Sequence, residues 1–351
     1  MRFSLACWRV IAALAVIQWG NAPANAASGD EIYARPGLIA RAHDGAQLNF
    51  VCTGTGSPTV VFDAGFSDWA PAWAVVQPRI ATFTRACSYD RAGSGFSGPG
   101  PFPRTSERIA TELHDALQDG KIIGPYILVG SSFGGDNVRA FADLFPSDVA
   151  GLVLDDGDAS DVDTPENRAD DDRGSLGYLP TLRRCRDGIA AGNPTFSLPS
   201  PPGRPSRMCA QLFFRGLPES EWSQELNAKL LDLGQHNVAM WDAIISEMEQ
   251  VPADEVWLQQ HRRFLGNTPV RVLTSGYHAV GHLDRPPPMS LDHLKYEYDR
   301  ALAQSRWLTL SSDAKQIFAF RSSEYIQFDD PDTVVSAVRD IYLRPRQVGR
   351  K

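Results

Sequence analysis

A glycine-flanked serine is the residue in this chain whose surroundings most clearly suggest chemistry. Residues 130–135 have the sequence GSSFGG, which fits the pattern G-x-S-x-G centred on Ser132. The apolar run Tyr126–Val129 before it is typical of a buried strand, and the helical pattern Asp136–Leu144 follows it. A serine on a sharp turn needs neighbours without side chains, and such a turn places its hydroxyl near a helix N-terminus. Ser132 is therefore predicted to be a nucleophile.

The elements that must position this serine follow an alternating pattern. Apolar, β-rich runs bounded by Gly or Pro predict buried strands at Gln47–Cys52, Thr59–Phe62, Arg85–Tyr89, Tyr126–Gly130, Val149–Leu154, Val270–Thr274 and Gln316–Phe320. Amphipathic helical patterns lie between several of them, at Thr105–Gly120, Asp136–Phe145 and Pro331–Tyr342. This alternation predicts the α/β class, with a mostly parallel sheet covered by helices on both faces.

The alternation is interrupted once, after Leu154. From Gly157 to about Asn267 the sequence is acidic and rich in Pro and Gly, and it then shows helical patterns at Ser220–Leu233 and Val238–Gln250. The strand pattern resumes afterwards. The sequence therefore predicts one largely helical insertion in a sheet domain.

Composition and charge exclude several classes of ligand. The chain has 351 residues and a formal net charge of −8, and it lacks a long run of Lys or Arg. Because such a chain repels a phosphate backbone, nucleic acid is not an expected partner. No His/Cys cluster has zinc spacing, so no metal is expected. The segment Gly93–Gly98 fits G-x-G-x-x-G, but the prolines at 99, 101 and 103 prevent the helix that a dinucleotide needs, so no cofactor is predicted.

Residues 1–26 have the features of a secretory signal peptide. Its first residues carry the positive charges of Arg2 and Arg9, and the apolar run Val10–Trp19 follows. Ala24–Ala26 then provides a small-x-small cleavage signal. The apolar run is shorter than the ~20 residues of a membrane-spanning helix, so no membrane span is expected. The mature chain is predicted to begin near Ala27, in the periplasm or outside the cell.

Several segments, in this order and spacing, resemble the α/β-hydrolase family, in particular its secreted bacterial esterase-like members. Besides the turn at Ser132, they are Cys52–Val61, Ser88–Gly95, Gly151–Asp156, Tyr325–Gln327 and Asp330-Pro331. The resemblance implies an eight-stranded core from residues 32–157 and 267–344, with residues 158–266 as a helical cap over Ser132. It implies hydrolysis of a small-molecule ester, with lactones and amides left open. Epoxide and haloalkane chemistry is disfavoured because those relatives carry Asp in place of the serine.

The resemblance also implies an oxyanion hole and a disulfide pairing. One backbone N–H would come from Phe133, after the nucleophile, and a second from Phe66, in the loop after the third strand. Such donors stabilise a tetrahedral intermediate by roughly 3 to 4 kcal/mol each in other enzymes. The four cysteines that the mature chain would keep allow three pairings. The family's sheet order places the second and fourth strands side by side, which implies the pairs Cys52–Cys87 and Cys185–Cys209.

One family position carries an unexpected residue. In the family, a Gly-His-aromatic-Ile-Gln pattern follows the last strand, and its histidine takes the proton from the serine. This chain has Ser323-Glu324-Tyr325 there, and the family's usual acid position falls near Ala279. Two of the three triad residues are therefore absent from their expected positions.

Three hypotheses follow from this replacement. In the first, Glu324 is the base, in a pair with Ser132 that resembles the Ser-Glu-Asp arrangement of the sedolisin peptidases on a different fold. A carboxylate near its reference pKa of about 4.3 is a weak base, so burial or a neighbouring acid, predicted to be Asp156, would have to raise that pKa. An acidic pH optimum is then expected. In the second, His278 or His282 is a relocated base that Glu324 orients. In the third, the protein keeps the fold as a catalytically silent binding protein.

Overall fold

The structure is a computed structural model that describes residues 29–159, 162, 165–199, 206–214, 217–277 and 290–344, with residues 165–175 and 293 described by their backbone alone. The predicted signal peptide, residues 1–26, lies outside the described residues. His278 and His282 lie outside them as well, so the hypothesis of a relocated histidine stays a prediction.

Ten strands lie in the described part of the chain, and eight of them form one sheet. The strands are β1 (Leu38–Arg41), β2 (Gln47–Thr53), β3 (Thr59–Asp63), β4 (Ala86–Asp90), β5 (Tyr126–Ser131), β6 (Val149–Asp155), β7 (Ser197–Leu198), β8 (Arg207–Met208), β9 (Val270–Tyr277) and β10 (Ala314–Ser323). The order of the large sheet is β1-β2-β4-β3-β5-β6-β9-β10. β2 pairs antiparallel with β1 and β4, and every other pair in this sheet is parallel. The predicted mostly parallel, eight-stranded sheet is confirmed.

Helices cover both faces of the large sheet. The described α-helices are α1 (Gln77–Ile80), α2 (Ser106–Asp119), α3 (Phe133–Leu144), α4 (Pro165–Ala190), α5 (Gln224–His236), α6 (Val238–His261), α7 (Leu291–Ser305), α8 (Ile326–Asp329) and α9 (Pro331–Tyr342). Side chains alternate across β3, so that Val60 and Phe62 pack in the core with α9, while Val61 packs in a second core with α2 and α3. None of these helices combines the length and the apolar character that crossing a membrane requires.

The stretch between β6 and β9, here called the insertion, adds no strand to the large sheet in its described parts. It holds α4, the β7–β8 pair, α5 and α6, and α6 packs against both α2 and α3. A disulfide between Cys185 of α4 and Cys209 closes the insertion on itself, and a second disulfide joins Cys52 of β2 to Cys87 of β4. Both predicted pairings are confirmed.

Candidate active site

The predicted site residues follow strands whose carboxyl ends meet at one edge of the sheet. β3, β5, β6 and β10 are parallel, and each is followed by one part of the predicted site: the loop with Phe66, then Ser132, Asp156 and Glu324. Open α/β sheets bind ligands at this edge. The topology therefore gathers residues that are up to 258 positions apart in the chain at a single place.

Ser132 lies at a strained turn between β5 and α3. Its backbone angles are φ 48° and ψ −125°, in a region that residues with side chains rarely adopt. The turn is fixed at both sides, because the Ser132 N–H donates to the Asp155 carbonyl at 3.0 Å and the Ser132 carbonyl accepts from Gly135 N at 2.7 Å. Ser132 itself is partly exposed. The predicted sharp turn is present, and it holds the serine in one orientation.

The glycines around Ser132 are required by close backbone packing. A Cβ added to Gly134 would lie 2.4 Å from the Asp63 carbonyl oxygen, and a Cβ on Gly130 would lie 2.2 Å from the Gly134 carbonyl oxygen. Both contacts are with main-chain atoms, which cannot move independently. The glycines of the pattern G-x-S-x-G are thus needed so that the start of α3 can pack directly on the end of β3.

A buried arginine, Arg91, holds the loop after β3. Its Nη1 donates to the Asp63 carboxylate at 2.8 Å and to the Ala64 carbonyl at 2.6 Å, and its Nη2 donates to the Gly65 carbonyl at 2.8 Å. Nε and Nη2 also bind the carboxylate of Glu247, from α6 of the insertion, at 2.8 and 3.2 Å. All five guanidinium N–H groups are therefore engaged. Burial raises the pKa of Asp63 to about 6, and the charge of Arg91 opposes that rise.

This anchoring directs the predicted oxyanion donors. A trans peptide places its carbonyl and its N–H on opposite sides, so a Gly65 carbonyl that points at Arg91 turns the Phe66 N–H away from it. That N–H has no acceptor among the residues that the structure describes. Phe133 is the first residue of α3, where the backbone N–H has no partner in the helix. The rings of Phe66 and Phe133 stack with centroids 4.1 Å apart, which brings the two donors' residues together.

Glu324 lies between β10 and the short helix α8, and it is partly buried. The loop around it is held on both sides. Before it, the N–H and the hydroxyl of Ser323 donate to the Asp329 carboxylate at 2.9 and 2.6 Å. After it, the hydroxyl of Tyr325 donates to the carbonyl of Phe214, in the insertion, at 3.0 Å. These contacts fix the backbone that carries the Glu324 side chain.

A carboxyl that the sequence analysis did not single out, Asp68, lies in the same site. Its N–H donates to the Gly65 carbonyl at 3.3 Å, and its Oδ1 accepts from Phe214 N at 2.8 Å. A Cβ placed on Gly65 would lie 3.9 Å from Asp68 Oδ2 and 3.3 Å from Ser132 Cβ, so the carboxyl and the serine flank the same glycine. Burial raises the pKa of Asp68 well above its usual value, and the negative charge of Glu324 raises it further.

Phe214 connects the two carboxyls. Its N–H binds Asp68 and its carbonyl binds Tyr325, the residue after Glu324. Phe214 has φ 50° and packs against Trp69 at 4.6 Å between ring centroids. The insertion thus bridges the loop after β3 and the loop after β10. The signal available in the sequence was the position of Asp68 in the loop that carries Phe66.

Asp156 is fully buried and has a strong cationic partner. Its Oδ1 accepts from Ser275 N at 2.9 Å and from Arg300 Nη1 at 2.6 Å, and its Oδ2 accepts from the Ser275 hydroxyl at 2.7 Å. The hydrogen bonds from Ser275 join the end of β6 to the end of β9, and the ion pair with Arg300 joins it to α7. The role of Asp156 as a third catalytic residue stays a prediction, and its described contacts suit an anchoring role.

Among the described residues no group of three or more His, Cys, Asp or Glu side chains is arranged to hold an ion.

Comparisons with known proteins define the class. The family model described as the alpha/beta hydrolase fold matches residues 58–192 of this chain, which run from the start of β3 into the insertion. The chain has the α/β-hydrolase fold.

Particular relatives are similar over parts or most of the chain. The YqjL protein of Bacillus subtilis (strain 168) is 32% identical over 105 residues, which are 29% of this chain and 40% of that protein. The curated relatives are thus matched over less than half of their length. Among solved structures, an esterase from Thermogutta terrifontis has a TM-score of 0.55 and 20% identity over 86% of this chain and 97% of its own. The enol-lactonase from Burkholderia xenovorans LB400 has a TM-score of 0.56 and 15% identity, over 85% and 97%.

Proposed function

We propose that this protein is a serine hydrolase that cleaves a small-molecule ester, lactone or amide through an acyl-enzyme on Ser132. The observation that carries the proposal is the strained, fixed turn at Ser132 beside two backbone N–H groups, those of Phe66 and Phe133. Donors held in advance at the place where negative charge develops are the main source of catalysis in acyl transfer. A fold alone does not give an activity, and a serine held in this way has no evident structural purpose.

In the proposed reaction, Ser132 Oγ attacks the carbonyl carbon of the substrate while its proton passes to Glu324. The Phe66 and Phe133 amides hold the oxyanion. The intermediate collapses, the bond to the leaving oxygen or nitrogen breaks, and Glu324 returns the proton to that atom. Water then attacks the acyl group in the same way, giving a carboxylic acid and free Ser132. We route no proton through Asp156, because Arg300 and Ser275 already bind its carboxylate.

Residues 158–266 would act as a cap that closes over Ser132. Two contacts described above support this part of the proposal, since the insertion binds Arg91 through Glu247 and binds Asp68 through Phe214. The segment that shapes the pocket is also the segment that fixes the loops of the site. Substrate choice would then depend on the insertion.

We also propose that the protein is exported to the periplasm or beyond, with cleavage of residues 1–26 near Ala26. The two disulfides support an oxidising compartment, where such bonds persist.

The test is hydrolysis of p-nitrophenyl acetate and butyrate between about pH 4 and 9, together with labelling by a fluorophosphonate. Wild type is compared with Ser132→Ala, Glu324→Gln and the double variant His278→Ala/His282→Ala. We expect labelling and turnover to vanish in Ser132→Ala, turnover to vanish in Glu324→Gln, and both to persist in the double histidine variant. Loss in the double histidine variant alone would indicate a relocated base. Absence of both labelling and turnover in wild type would indicate a silent binding protein.

A further inference from the structure

Asp68 is a buried acid in the proposed site, and among the residues that the structure describes its hydrogen-bond partners do not include a cation. Its Oδ1 accepts the Phe214 N–H. Arg91, a buried cation whose charge acts on Asp68, uses all five of its N–H groups on Asp63, Ala64, Gly65 and Glu247. Asp68 is 3% exposed. A carboxylate in such a place, next to a second carboxyl, is costly to ionise.

We propose that Asp68 and Glu324 form a carboxyl pair beside Ser132 that works with one proton, held on Asp68, so that Glu324 alone is ionised and accepts the serine proton. This inference rests on the proposed function and adds a residue to it. Asp68 acts by holding the proton of the pair, which leaves Glu324 ionised. A neutral Asp68 also adds no negative charge beside the oxyanion. It is therefore a positioning residue for the proton and takes no part in bond formation.

The geometry favours Asp68 as the holder of the proton. Glu324 is partly exposed at the edge of the site, so water can solvate its charge, whereas Asp68 is buried. Asp68 also lies in the loop that carries the Phe66 N–H, and its N–H closes a turn on Gly65. An ionised Asp68 would place a negative charge beside the developing oxyanion and oppose its formation, whereas a protonated, neutral Asp68 does not.

The charged groups around Asp68 come from three different elements. Glu324 faces it from the loop after β10 and Glu219 from the insertion, and both raise its pKa. Arg91 faces it from the end of β4 and lowers its pKa, as does the Phe214 N–H. Burial is the largest effect, and it acts in the same direction as the two acids.

A bell-shaped pH profile follows from this arrangement. The pair titrates in two steps that belong to both carboxyls together. Activity rises with pH when the pair loses its first proton, because Glu324 becomes a base. It falls at higher pH when the second proton leaves, because Asp68 becomes charged. The active form carries one proton.

The first experiment measures kcat/KM for p-nitrophenyl butyrate against pH in the full mature protein, with Ser132→Ala as the blank for spontaneous hydrolysis. Asp68→Asn keeps an oxygen that accepts the Phe214 N–H but cannot ionise. We expect it to keep the acid limb and to lose the alkaline limb. Asp68→Glu is expected to keep both limbs. As a matched control, Asp254→Asn removes a buried acid of α6 that accepts the Ser106 N–H at the start of α2, and it should leave both limbs unchanged. A uniform loss in Asp68→Asn at every pH, or an unchanged alkaline limb, overturns the proposal.

A second experiment needs no activity, and it separates this inference from the proposed function. Urea unfolding is measured against pH for wild type, Asp68→Asn, Glu324→Gln and the double variant. A raised folded-state pKa makes the folded protein lose stability as pH rises above the unfolded value, so Asp68→Asn should gain relative stability with rising pH. In the double variant, the second substitution should change the free energy of unfolding by less than the first, because one substitution already removes the repulsion between the two carboxylates. Additive effects, or a difference that does not change with pH, overturn the pair even if Ser132 is active. An inactive wild type that shows this coupling refutes the hydrolase and leaves the pair standing.

Discussion

Replacing Arg91 should separate what holds the site from what holds the fold. In Arg91→Met, the carboxylates of Asp63 and Glu247 stay buried without their cation, and breaking a buried ion pair in this way costs about 3 to 5 kcal/mol of unfolding free energy. The Ala64 carbonyl also loses its Arg91 donor, and the Gly65 carbonyl keeps only the longer bond from the Asp68 N–H at 3.3 Å, so the Phe66 N–H is held less firmly in its direction. The loss of one oxyanion donor corresponds to a decrease in kcat of roughly 10²- to 10³-fold.

Arg104 offers a matched control for this prediction. It is equally buried, and its Nη1 and Nη2 bind the Glu112 carboxylate at 2.6 and 2.7 Å, away from the loop after β3. We expect Arg104→Met to lower the urea midpoint about as much as Arg91→Met, with kcat for p-nitrophenyl butyrate unchanged. Arg91→Lys keeps the positive charge but not the five N–H donors of the planar guanidinium. It should therefore be more stable than Arg91→Met, while kcat still falls. If folded Arg91→Lys and Arg104→Met have the same kcat, the assignment of Arg91 to the oxyanion loop is wrong.

Three further predictions concern the packing, the insertion and pH. Gly134→Ala places a Cβ 2.4 Å from the Asp63 carbonyl oxygen, so it should destabilise the protein by about 1 to 3 kcal/mol and reduce kcat. Gly177→Ala is the control, because its Cβ would have nothing within 4 Å and should not destabilise the protein. Equal urea midpoints for the two variants would contradict this prediction. Cys185→Ser/Cys209→Ser removes a link across 24 residues and should lower stability by about 3 kcal/mol. Because reductant also cuts Cys52–Cys87, adding it should lower the stability of wild type by more than that of the variant, and equal decreases would contradict this prediction. Burial raises the pKa of Asp254 to about 7, so wild type should lose stability as pH rises from about 4 through 7, and Asp254→Asn should lack that loss; parallel Tm-against-pH curves would count against it.

The interior of the sheet was predictable because its strands are buried on both faces. β5 and β6 are continuous apolar runs, and their observed bounds differ from the predicted ones by a single residue at one end. β1 was missed because it lies at the edge of the sheet, where Leu38 and Ile39 are exposed and no alternation appears. Edge strands are specified by the partner strand, here β2, more than by their own sequence.

The insertion was less predictable, and α4 shows why. No helical pattern was recognised in its acidic sequence, which contains glycines and Pro180, but the structure forms a helix over Pro165–Ala190. Contacts with α6 stabilise it, including ion pairs from Arg183 to Glu249 and from Arg186 to Asp242. Packing against a distant partner here outweighs local helix propensity.

The site divides in the same way between local and distant information. Ser132 and its glycines form a local motif in which close main-chain packing requires Gly130 and Gly134, and so the motif alone predicts the turn. Asp68 is different, because it is defined by a hydrogen bond from Phe214, which lies 146 positions later. No pattern around Asp68 indicates that a second carboxyl, Glu324, faces it.

The meaning of Glu324 depends on this neighbour. A histidine at position 324 would carry a positive charge after accepting the serine proton, and that charge would favour an ionised Asp68. A glutamate at the same position becomes neutral on accepting the proton and is negative before it, so it favours a protonated Asp68. Glu324→His should therefore shift the ionisation of Asp68 to lower pH and change the role of the same carboxyl from proton holder to counterion. If Glu324→His instead keeps the alkaline limb of wild type, that limb belongs to another group, and Asp68 is a structural acid.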